Sequence, residues 1–177
     1  CLGVALSRQD KWTEAQTAFL TARDATADKV LRARLGAMAG NAALARGDAS
    51  GALAALDGAH ADAAGDNALT AGIAIDRARA LVMLKRYGEA EAALTEARGA
   101  APDNVQAWLL SATLSRRMNK LAEAQAQIEK AAALLPVDPE IGLEAGVIAA
   151  LSGRSEAARR SWQAAIADPS GQTLAEI

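Results

Sequence analysis

Catalysis by side chains needs partners, and the chain's one histidine, His60, has none in view. With Cys1 as the single cysteine, neither a zinc site nor a Cys–His nucleophile can be assembled. His60 therefore reads as a partly exposed structural residue. The carboxylates Asp76, Glu89, Glu96 and Glu123 lie at scattered positions and read as solvated helix faces supported by i,i+4 pairing. No glycine-rich phosphate loop is present. These residues point to no enzyme, no catalytic group, no metal and no cofactor. Binding chemistry remains: the planar fork of arginine, which grips carboxylates, and apolar surface beside it.

What would position such residues is a repeat. Ala90, Ala124 and Ala158 are spaced 34 apart, and so are Ala97, Ala131 and Ala165. Leu94, Ile128 and Trp162 keep that interval of 34, as do Ala78, Ala112 and Gly146, and Pro102 with Pro136. Independent columns agreeing on one period identify a repeat array. Val105–Asp138 shows the unit most fully: a helix, a tight turn, a second helix and a proline stop.

The residues of that stretch resemble the tetratricopeptide repeat, with Trp108 at column 4, Ala112 at 8, Ala124 at 20, Ile128 at 24, Ala131 at 27 and Pro136 at 32. Ser111 and Ser115 depart from it at columns 7 and 11, and Arg77 stands at column 7 of the preceding repeat. The resemblance implies an all-α fold, a right-handed α-solenoid of about five helix-turn-helix repeats. The expected units are 1–32, which lacks its first positions, then 33–70, 71–104, 105–138 and 139–172, with 173–177 starting an incomplete further helix. Asn67–Thr70 is an insertion that either lengthens a loop or adds a turn to the next helix. Phe19, Leu56, Leu94, Ile128 and Trp162, all at column 24, are expected to be buried by stacking. Gly47, at a turn, suits the left-handed backbone that ends a helix, and Asp48 can cap the next one.

Composition agrees. Hydrophobic residues make up 51% but aromatics only 3%, and about a quarter of the chain is alanine, which suits helices packed through small side chains. A net charge of −2 offers no basic stripe for nucleic acid. No apolar run approaches the length of a transmembrane helix. Cys1 enters directly in repeat register, so the chain is expected to be a piece of a longer one. The abundance of Ala and Arg suggests a bacterial, GC-rich source.

In the family that the sequence resembles, helix A turns columns 2, 5, 9, 12 and 13 toward a bound peptide. Carried over, these columns hold Arg34, Ala37, Asn41 and Leu44 in the second repeat and Ile75, Arg79, Val82 and Met83 in the third. Gln106, Leu109, Thr113, Arg116 and Arg117 follow in the fourth, and Glu140, Leu143, Val147 and Ala150 in the fifth. The resemblance thus implies a protein-interaction module that takes a peptide or protein segment in this groove. Arg79 and Arg116 make an acidic segment the expected partner. The alternative is a structural or oligomerisation segment of a larger repeat protein, its groove empty and its ends self-associating.

Overall fold

The computed structural model describes residues 2–63 and 65–167, with side chains through Gln163. Every regular element among them is an α-helix: α1 Leu2–Ser7, α2 Trp12–Asp24, α3 Lys29–Ala45, α4 Ala49–Asp62, α5 Asn67–Met83, α6 Tyr87–Ala100, α7 Val105–Arg117, α8 Leu121–Leu134, α9 Pro139–Leu151 and α10 Ser155–Ala167. Odd-numbered helices are the A members of the hairpins and even-numbered helices the B members. The chain divides into two compact units, Cys1–Pro102 and Asp103–Ile177. In the first, each helix from α1 to α5 packs on its successor, and α3 also touches α5. In the second, α7 to α10 pack in the same order, and α7 also touches α9.

Short polar side chains start the A helices. Asp28, Asp66, Asn104 and Asp138 each accept the backbone N–H three residues on, at 3.1, 3.0, 3.1 and 3.0 Å. Each bond satisfies one of the orphan donors of a helix N-terminus. Asp48 does the same for α4 through Gly51, at 2.8 Å. The insertion Asn67–Thr70 is helical: α5 begins at Asn67, as α3 begins at Lys29, so both A helices gain a turn and reach 17 residues.

Every A-to-B turn closes in one way. Asp10, Gly47, Lys85, Asn119 and Gly153, all at column 15, have φ of 56°, 82°, 59°, 59° and 74°. In each turn the next N–H bonds back to the carbonyl five residues earlier, as in Asp48 to Ala43 at 2.9 Å and Arg86 to Leu81 at 2.9 Å. This is the Schellman closure.

Columns 8 and 24 then lock each hairpin. A Cβ on Gly3 would meet Phe19 at 2.5 Å, and one on Gly40 would meet Leu56 at 2.5 Å. A Cβ on Gly146 would collide with the Trp162 ring. In these three hairpins a large side chain at 24 thus occupies the space that a missing Cβ leaves at 8. Ala90, Ala97, Ala124 and Ala131 are fully buried at the helix crossings. The core of the second unit gathers Leu109, Ala112, Ile128, Ile141 and Ile148, with Trp108 packed against it.

Phe19, Leu56, Leu94 and Ile128 are buried as expected, but Trp162 is 37% exposed. Among the described residues no helix follows α10 to cover its outer side. Arg77, despite its core-facing column, runs its stem along the α4–α5 interface and brings its guanidinium to Asp57 at 2.8 Å. Ser111 and Ser115 are buried and bonded, to the Ala107 carbonyl at 2.7 Å and the Gln127 amide oxygen at 2.8 Å. Cys1, Ala64, the side chain of Ala165, Pro169 and Ser170–Ile177 with its expected helix start lie outside the described residues.

Candidate functional site

The A helices of the first unit leave an open pocket of about 490 Å³ where α1, α2 and α3 meet. Its lining is Val4, Ser7 and Arg8 from α1 and the residue after it, Trp12 and Phe19 from α2, and Met38, Asn41, Ala42 and Ala45 from α3. Gly3 leaves room for the Phe19 ring, and Trp12 and Phe19 supply an apolar floor. Ser7 is turned inward, its hydroxyl donating to the Gly3 carbonyl at 3.0 Å. Arg8 and Asn41 make no side-chain hydrogen bond or ion pair with any described residue, and both are exposed. The volume falls within the ~300–1,000 Å³ usual for ligand pockets.

The side chains chosen from register divide. Arg34, Asn41, Arg79 and Gln106 are exposed, and Val82, Thr113, Arg116, Leu143 and Val147 are half-buried. Ile75 and Leu109, at 5% and 9% exposure, are core residues and do not line an open surface. Both stand at column 5, where Leu143 of the fifth repeat is half-buried. Arg79 and Arg116 are already engaged. Arg79 holds Asp76 at 2.9 Å one turn away. Arg116 forks onto Glu144 of α9 at 2.6 and 3.2 Å. Arg79 belongs to the first unit and Arg116 to the second.

Val4, Ser7 and Arg8 do not figure among the residues expected from register, although they occupy columns 9, 12 and 13 of the first repeat. The same columns that nominate Asn41 and Leu44 would have found them.

Two charged clusters tie the B helices of the first unit. Asp62 on α4 accepts from Arg23 at 3.0 Å and Arg32 at 3.2 Å. The Arg23 hydrogen bond, aided by the charge of Arg32, holds the Asp62 carboxyl below its ordinary pKa. Arg23 fits because residue 58 is glycine, whose Cβ would meet the guanidinium at 2.9 Å. Farther along, Arg77 links Asp57 to Glu96 at 3.7 Å, and Glu96 meets His60 Nε2 at 2.6 Å. Asp57, Arg77 and Glu96, with Arg86 paired to Glu89 at 2.6 Å, surround a cleft of about 270 Å³ whose charges satisfy one another. No His, Cys, Asp or Glu cluster able to hold a metal occurs among the described residues. No described helix is long and apolar enough to cross a membrane.

A family model for the tetratricopeptide repeat matches residues 81–145. The chain carries tetratricopeptide repeats. Solved structures extend that fold over the rest of it. A crystal structure of MamA superposes with a TM-score of 0.80 at 15% identity, covering 100% of this chain and 98% of that one. MamA 41-end from Desulfovibrio magneticus RS-1 gives 0.78 at 17% identity over 93% and 89%. YrrB, described as a TPR protein with an unusual peptide-binding site, gives 0.70 at 19% over 98% and 88%. No curated protein matches the chain. At these identities the likeness is one of tetratricopeptide fold.

Proposed function

We propose that this tetratricopeptide chain is a protein-interaction module that binds a polypeptide segment on its helix-A face, by equilibrium binding and without catalysing a reaction. The observation that carries the reading is the open pocket between α1 and α3, apolar within and rimmed by the unsatisfied amide of Asn41. An extended peptide needs both: apolar surface for a side chain and an amide for its backbone. YrrB, which shares this fold, is described as having a peptide-binding site, and that supports the same kind of ligand here. An acidic segment remains the expected partner class, since the unpaired side chains of this face include Arg8 and Arg34.

Ala45 lines the pocket and is exposed, so Ala45→Trp fills its mouth without disturbing the core. Affinity purification should lose the bound partner with Ala45→Trp and keep it with Ala126→Trp on the exposed outer side of α8. Retention of every partner by Ala45→Trp would remove the pocket from the interaction. The structural-segment reading would then stand.

A further inference from the structure

We infer that Arg8 determines the specificity of the α1–α3 pocket, reading a carboxylate placed next to a bulky apolar side chain of the bound segment. This rests on the peptide-binding reading above and adds which side chain selects the ligand. The reason is one of availability. The arginine that register placed at column 9 of α5, Arg79, spends its charge on Asp76, and Arg46 at the end of α3 is held by Asp48 and Gln16. Arg23 and Arg32 share Asp62. Arg77 and Arg86 are bound to Asp57 and Glu89. Arg8 lines the pocket, is exposed, and pairs with no described carboxylate, including its sequence neighbours Asp10 and Glu14.

Geometry makes that cation useful. Arg8 follows the last turn of α1, its N–H bonded to the Val4 carbonyl at 3.2 Å, and the chain then reverses through the left-handed Asp10. The backbone beneath the guanidinium is therefore fixed while its side chain projects over the pocket lining. Val4, Trp12, Phe19, Met38 and Ala42 form an apolar wall beside it. A ligand with a leucine-sized side chain in that wall would present a neighbouring Asp or Glu to the fork, and the low-polarity surroundings strengthen such a bond over the same pair in water. A carboxylate without the apolar neighbour would gain only a screened surface pair, worth little. An apolar segment without the acid would leave Arg8 as free as it is now. The occupant that uses both is an acidic–apolar peptide.

The test is selection of a phage-displayed library of random twelve-residue peptides on the whole chain, followed by titration of the enriched sequence through Trp12 fluorescence. Wild type should enrich peptides with an Asp or Glu within two residues of a bulky apolar side chain. Arg8→Gln should lose that acidic preference and bind the selected peptide at least tenfold more weakly, with Arg160→Gln on the exposed side of α10 near wild type. Since Arg8 is exposed at a helix end, the variant should keep its helical circular dichroism, separating lost contact from lost fold. Enrichment of apolar peptides without acid, an acidic preference surviving Arg8→Gln, or an equal loss with Arg160→Gln would overturn the role of Arg8 and leave peptide binding intact. No enrichment of any sequence would overturn both.

Discussion

Single side chains divide here into those spent inside the fold and those left for a partner, and Asp62 is the clearest of the first kind. Its carboxylate ties α2 and α3 to α4 through Arg23 and Arg32, and Arg23 Nε is buried with no acceptor of its own. Because the folded pKa of Asp62 is depressed, its contribution is complete above the unfolded carboxylate value of about 3.9 and fades as pH falls through the folded one. Asp62→Asn should therefore lower stability at pH 7 by about 1–2 kcal/mol. The gap to wild type should narrow below about pH 4, as read from urea midpoints across pH. A gap unchanged from pH 7 to pH 3 would mean that the ion pairs carry none of it. None of this was legible beforehand: Arg23, Arg32 and Asp62 are 9 and 30 residues apart, and the interval of 34 says nothing about which charges meet. The same blindness made Arg79 and Arg116 look available when Asp76 and Glu144 already hold them.

Elements were more legible than the contacts between them. Small columns, capping aspartates and the turn glycines mark where helices start and stop, because each answers a local need of the backbone. Gly47 announced a left-handed residue, but Lys85 did not, since a lysine at φ 59° is tolerated at a cost rather than selected for that conformation. The shared closure across all five turns shows that the hairpin geometry, not the residue, imposes the positive φ. Lys85 is exposed and its side chain has no role in the closure. Lys85→Gly should consequently stabilise the chain by about 1 kcal/mol, with the gain reduced by the extra freedom of glycine in the unfolded chain. Gly47→Ala, with open space around its Cβ, should cost a similar amount through backbone strain alone. Chemical denaturation of both variants measures the pair. A loss of stability in Lys85→Gly would show that the lysine is not strained.

At the scale of the whole molecule, periodicity hides a division. Pro102 and Pro136 keep the interval of 34, so the repeat reads identically across the point where the chain separates into Cys1–Pro102 and Asp103–Ile177. A sequence period records what each hairpin needs from its neighbours, and it carries no measure of how much apolar surface each group of hairpins buries. The pocket was missed for a related reason: the groove columns were carried over only from the second repeat onward, and Phe19 was fully accounted for by stacking. The first unit holds a core of its own around Ala15, Phe19, Leu35, Ala39 and Ala55, and the Asp62 and Arg77 clusters bind its B helices together. Its last helix closes with the Ala101 N–H bonded to the Ala97 carbonyl at 3.0 Å. Nearest-neighbour stacking is what stabilises repeat arrays, and three hairpins lie within this unit. A chain ending at Pro102 should therefore keep its helical circular dichroism and unfold in one cooperative urea transition, with a slope of about 1 kcal/mol per M. It should also retain the peptide binding assigned to the α1–α3 pocket. A fragment with little helix, or with a gradual melt lacking a baseline, would show that its hairpins do not stand without those that follow.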